Sequence, residues 1–223
     1  MKIVLLEELG VPKDKIDKQA EKLTNMGHEL ITYTKNTDPK IQVERTKDAD
    51  VIMLANMPLS KEVVEEAKHL KFIDVAFTGV DHIPMEEAKA RNIAVSNASG
   101  YATQAVAELC IRFMIQLLRN IEQTQKRCRE GGTKDGWIGS LLCGKTVGIV
   151  GAGAIGKKTA KLCKAFGCRV IAYSRSKVED SVIDRQVPLD ELLKEADIVS
   201  LHCPLTKETK GLIGKEQLEF MKK

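Results

Sequence analysis

Gly151, Gly153 and Gly156 stand in G-x-G-x-x-G spacing inside "TVGIVGAGAIGKKTAKLCKAFGCRVIAYSRS" (146–176), a pattern able to receive a pyrophosphate. Each glycine has its own mechanical role. Gly151 permits a tight turn from strand to helix, Gly153 lets the backbone approach the diphosphate, and Gly156 lets helix and strand pack closely. The helix N-terminus adds free N–H groups and the positive end of its dipole. Ala154 and Ile155, between the last two glycines, belong to the same cofactor-binding turn. The end of the following strand sorts the two nicotinamide dinucleotides. An acid about 20 residues after the motif would accept from a ribose 2′-OH, whereas a 2′-phosphate needs a cation and no carboxylate. This chain has Ser174, Arg175 and Ser176 there. A serine bonds either group, while Arg175 either pairs with a 2′-phosphate or is a solvated loop residue. The cofactor read from these residues is NAD or NADP, with NADP slightly favoured.

The elements that must hold this turn are legible around it. "KTVGIV" (145–150) reads as a buried strand, "RVIAY" (169–173) as the next, and the helix between them is ended by Gly167, which supplies the βαβ context the motif requires. Upstream, short apolar runs alternate with amphipathic stretches. "KIVLL" precedes a helix with Ile16, Ala20 and Leu23 on one face, stopped by Gly27. Then come "ELITY" (29–33), "DVIMLAN" (50–56), a helix after Ser60, "FIDVAF" (72–77), a short helix at Pro84 and "IAVSN" (93–97). This alternation implies an α/β chain with covered parallel sheets. Residues 1–98 are expected to form a flavodoxin-like domain. Residues 99–223 are expected to hold an interdomain helix and an incomplete Rossmann domain, a doubly wound parallel sheet. The helix at 103–120 is apolar on nearly every face and is expected to be mostly buried, with Glu108 and Arg112 paired at i,i+4, against the second domain or another subunit. Residues 129–145 read as a loop anchored by Trp137.

Composition narrows the function classes. The chain has 223 residues and a net charge of only +4 with both signs interspersed, so no basic stripe points to nucleic acid. The apolar run at the N-terminus is too short for a signal-peptide core or a membrane span, which makes a cytoplasmic location the default and a membrane partner unexpected. The six cysteines form no C-x-x-C pair and read as reduced, structural thiols. The histidines at 28, 69, 82 and 202 include no i,i+4 pair, so no metal site is expected.

Three stretches together resemble the D-isomer-specific 2-hydroxyacid dehydrogenase family: "FTGVDHIPMEEAKARNIAVSNASGYATQAVAEL" (77–109), the glycine-rich segment above, and "ADIVSLHCPLTKETKGLIGKEQLEFMKK" (196–223). The resemblance implies an NAD(P)-dependent oxidoreductase interconverting a small 2-hydroxy acid and a 2-keto acid, whose identity stays open. It implies that the backbone at Thr78 and Gly79 receives the substrate carboxylate, as exposed N–H groups bind an anion without a charged side chain. Phe77 beside them either shapes the pocket or is a core aromatic at a strand end. Thr103 is implied near the nicotinamide, although an N-cap role would also explain it. Cys203, Pro204 and Thr206 of "HCPLT" are implied on the adenosine side, Pro204 being equally at home as a chain turn. Neither His82 nor His202 matches the family's catalytic histidine. Its Arg, Glu and His are expected beyond Lys223, so no catalytic residue is assigned within this chain. The 223 residues are therefore expected to be a fragment or truncation, inactive alone, with the strand at 197–201 lacking its successor. Homodimerisation through residues 100–140 is a further expectation from the resemblance. The alternative is a non-catalytic NAD(P)-binding protein or corepressor-like interaction protein.

Overall fold

A computed structural model describes residues 1–222. The chain divides into two compact units, Met1–Tyr101 and a second beginning at Ala102. The first alternates β1 (Lys2–Leu5), α1 (Lys13–Asn25), β2 (Glu29–Thr32), α2 (Pro39–Thr46), β3 (Val51–Leu54), α3 (Lys61–Glu66), β4 (Phe72–Val75), α4 (Met85–Ala90) and β5 (Ala94–Asn97). Its five strands are all parallel in the order β2-β1-β3-β4-β5, the flavodoxin-like arrangement. Val4, Ile52, Leu54, Ile73 and Val75 fill its core with Val63 and Val64 of α3. The face of α1 bearing Ile16, Ala20 and Leu23 is half-buried, and the helix stops before Gly27 at φ +77°.

The second unit contains α5 (Thr103–Leu118), α6 (Ile121–Arg129), β6 (Thr146–Val150), α7 (Ala154–Ala165), β7 (Arg169–Tyr173), β8 (Arg185–Gln186), α8 (Leu189–Glu195), β9 (Ile198–Leu201) and α9 (Lys215–Glu219). Its parallel sheet runs β8-β7-β6-β9, the order of the first four strands of a Rossmann sheet. The chain thus reverses direction across β6, with β7 and β8 on one side and β9 on the other. Ile111 and Met114 of α5 join Val147, Ile149, Ala160 and Cys163 on one face. Leu192 and Leu193 of α8 cover the other with Val150 and Ile171. Gly148 in β6 is required for that second contact, since a Cβ there would lie 2.5 Å from Cδ2 of Leu192. All six cysteines are free, and burial first of all pushes the Cys163 thiol up to about 12, which makes it an inert packing group.

Four expectations are corrected. Helix α5 buries only Ala107, Ile111 and Met114, while Leu109, Phe113 and Leu117 are exposed. Its apolar residues divide by helical spacing into a face that packs within the unit and one that does not. Glu108 does not pair with Arg112: its carboxylate accepts from Nε2 of Gln104, and the Arg112 guanidinium lies over the Phe113 ring at 5.4 Å. Trp137 is 39% exposed and stands outside the core clusters; the residue of that loop buried in a core is Leu142. Thr103 is the first helical residue rather than the N-cap, a position held by Ala102 without a side-chain bond.

Candidate functional site

The glycine-rich turn divides its labour unevenly. Gly151 has φ +97°, donates its N–H to the Tyr173 carbonyl at 2.8 Å, and could carry no side chain, because a Cβ would lie 2.6 Å from the Cys203 nitrogen. A Cβ on Gly156 would run into the Gly151 carbonyl oxygen and come within 3.1 Å of Cγ2 of Ile149. The chain itself demands both glycines. Gly153, the N-cap of α7, has an ordinary extended backbone, and a Cβ there would meet nothing within 4 Å. It leaves open space at the N-terminus of a 12-residue helix that has no side-chain cap and no acid in its first turn. Ala154 and Ile155 present the first N–H groups of that helix, donors without intrahelical partners. An anion is the natural ligand for such a terminus.

Above this turn lies a cavity of about 420 Å³ at the carboxyl ends of β6, β7 and β9. Of the residues singled out in the sequence, it is lined by Gly151, Gly153, Ser174, Arg175, Ser176, Cys203, Pro204 and Thr206. Gly156 lies buried beneath the turn, whereas Ala154, Ile155 and the half-buried Thr103 do not line the cavity. Sequence reasoning missed Tyr173, Glu208, Thr209 and Leu212, which also line it. The repeated threonines of "TKET" are the signal for part of this wall. The Thr206 N–H donates to Oγ1 of Thr209 at 2.8 Å, and that hydroxyl donates to the Pro204 carbonyl at 2.5 Å, folding the segment into a fixed turn.

The charges on the cavity wall are sparse. Glu208 is held below the ordinary carboxylate range by the Thr206 hydroxyl, then by its own backbone N–H, with Arg175 adding a smaller electrostatic pull. His202, whose Nε2 lies 2.9 Å from Oγ of Ser200, is pushed below its ordinary value by burial and is therefore neutral at pH 7. It lines the cavity beside Cys203, but no carboxylate orients it as a proton donor.

In the first unit, Phe77, Thr78 and Gly79 follow β4. Phe77 is 37% exposed, so it is not a core aromatic. Nδ2 of Asn97 donates to the Thr78 carbonyl at 2.6 Å, and the Ala98 N–H donates to the Phe77 carbonyl at 3.0 Å. These bonds fix the carbonyls of the turn. Among the described residues, the N–H groups of Phe77, Thr78, Gly79 and Val80 donate to no protein group. Successive free amides of this kind suit a carboxylate. Gly79 has no room for a side chain without displacing the Asp81 carboxylate, 3.0 Å from where a Cβ would stand. Among the described residues no group of His, Cys, Asp and Glu could hold a metal ion, and no helix is long and apolar enough to cross a membrane.

Comparison with known proteins gives this arrangement a lineage. Residues 111–223 match the family model described as D-isomer specific 2-hydroxyacid dehydrogenase, NAD binding domain. A glyoxylate reductase of Korarchaeum cryptofilum is 37% identical over 193 residues, covering 82% of this chain and 58% of that protein. A hydroxypyruvate reductase of Thermotoga maritima is 34% identical over 211 residues, covering 94% of this chain and 69% of its own length. The chain therefore spans between about half and about two thirds of these relatives. The structure of a D-lactate dehydrogenase from Aquifex aeolicus, complexed with NAD and lactic acid, superposes with a TM-score of 0.87 at 28% identity, covering 100% of this chain and 66% of that one. The chain belongs to the D-isomer specific 2-hydroxyacid dehydrogenase family.

Proposed function

We propose that this chain serves an NAD(P)-dependent interconversion of a small 2-hydroxy acid and a 2-keto acid, with its second unit holding the dinucleotide and its first receiving the substrate carboxylate. The observation that carries the reading is the cavity over an uncapped helix N-terminus, open at Gly153 and walled by Ser174, Arg175 and Ser176. When bound, the nicotinamide would supply or accept the hydride. The chain's own residues bind and orient. The α7 N-terminus draws the pyrophosphate by its unpaired N–H groups, and Gly153 admits it to backbone distance. The free amides at Phe77, Thr78, Gly79 and Val80 clamp the substrate carboxylate. Neither His82 nor His202 is assigned the proton, because neither is oriented by a carboxylate.

NADP is the preferred cofactor in this reading. Arg175 offers a guanidinium next to Ser174, which stands where an NAD-selective site would carry an acid. Replacing it with alanine should weaken NADPH about tenfold or more and NADH by less than about threefold, since only the first loses a charge-assisted bond. Equal weakening of both would remove the arginine from the 2′-phosphate site. We further propose that the chain self-associates through the 100–140 region, supported by the exposed Leu109, Phe113 and Leu117 on α5 and the 91% exposed Ile138. Sedimentation should show a dimer that Leu117→Asp dissociates, and a wild-type monomer at micromolar concentration would contradict this.

A further inference from the structure

Arg175 and Glu208 are the one permanent cation and the one carboxylate lining the nucleotide cavity among the described residues. They reach it from opposite sides of β6, Arg175 on the loop after β7 and Glu208 on the turn after β9. The turn that presents Glu208 is fixed by the Thr206 and Thr209 bonds and by the Lys210 N–H donating to the Thr206 carbonyl at 2.9 Å. No ion pair among the described residues joins the two side chains. Arg175 is nonetheless close enough for its charge to act on the Glu208 carboxyl, which stays ionised at neutral pH.

An ionised carboxylate here has opposite effects on the two riboses. It repels a 2′-phosphate carrying nearly two negative charges and competes for the guanidinium that would bind it. Toward a 2′-hydroxyl it is an acceptor, the part an acid after β7 plays in NAD-selective relatives of the fold and which Ser174 does not supply. Resting on the reading of this cavity as the adenosine end of a dinucleotide site, we infer that Glu208 is a second specificity-determining residue. It opposes the 2′-phosphate from across β6 and narrows the preference for NADP that Arg175 alone would give. On this reading a cation and an anion on the two sides of the pocket pull its choice of dinucleotide in opposite directions.

Calorimetric titration of the 223-residue chain and of its Glu208→Gln and Glu208→Ala variants with NADPH and NADH tests this, with thermal melts to establish that each variant is folded. Both substitutions should tighten NADPH about three- to tenfold at low ionic strength, the size expected of a single exposed charge a few ångströms beyond contact. NADH should be unchanged or weaker, and the gain for NADPH should shrink in high salt. Glu208→Ala separates loss of charge from retained hydrogen bonding in Glu208→Gln, and the NADPH gain should appear in both. If the wild type binds both dinucleotides and their affinity ratio is unmoved, or moves towards NADH, the inference is overturned while the cofactor site stands. A folded wild-type chain that binds neither overturns the cofactor site and the inference together.

Discussion

Gly153 and Gly156 have different roles in the motif, and the structure gives them opposite surroundings. A methyl on Gly156 has the Gly151 carbonyl in its way, and one on Gly153 has nothing. Gly156→Ala should therefore lower stability by about 1–3 kcal/mol, as overpacking in a filled site does, whereas Gly153→Ala should stay within about 0.5 kcal/mol. Thermal or denaturant unfolding of the two variants checks this, and the reverse ranking would refute the division of roles. The spacing of the glycines was enough to locate the turn and to separate the glycine that packs helix on strand from the one that faces the diphosphate; the distances come only from the structure. For Phe77, sequence left a pocket wall and a core aromatic as alternatives. Exposure in the structure decides against the core.

Between elements, what was legible follows from how much apolar surface each must bury. Strands β6 and β7, buried along nearly their whole length, stand where the apolar runs placed them. Helices α2, α6 and α8 and the two-residue β8 were not read; α2 buries only Gln42 and Thr46 and α6 buries nothing, so neither carries an apolar stripe for periodicity to show. Their local signals were present nonetheless: the Asp38 side chain caps α2 through the Lys40 N–H at 2.9 Å, with Pro39 in its first turn. Strand β8 is tied to its neighbour by polar bonds. Asp184 accepts from Nζ of Lys164 at 2.7 Å and from the Val170 N–H at 2.7 Å. The Lys164 bond first, and the backbone bond next, hold its carboxyl below its ordinary value of 3.8. A depressed folded-state pKa stabilises above the unfolded value and loses that contribution as pH falls through the folded one. Asp184→Asn should accordingly cost up to about 1 kcal/mol near pH 7, solvent screening keeping it small. The difference from wild type should fade below the ordinary carboxylate range, as read from denaturant unfolding at several pH values. A difference that persists undiminished in acid would show that the ion pair is not its source.

At the scale of the whole chain, both units are parallel sheets whose loops gather at the carboxyl ends of the strands, and the second has its cavity where the strand order reverses across β6. Ligands of open α/β sheets bind at such a reversal. Alternation of strands and helices made the fold class readable. It did not reveal that the loop after β9 would bring Glu208 and Thr209 to the same cavity as Ser174 and Arg175, because those residues are joined by sheet order and not by sequence spacing. The central claim is that this cavity binds a nicotinamide dinucleotide with its pyrophosphate at the open side of Gly153. Calorimetric titration of the intact chain and of Gly153→Ala with NADPH tests it most directly. The account predicts saturable binding to the wild type and a loss of at least about tenfold in a variant that remains folded, because the added methyl occupies the space the diphosphate needs. Equal affinity in the two proteins, or no binding to a folded wild type, would contradict it.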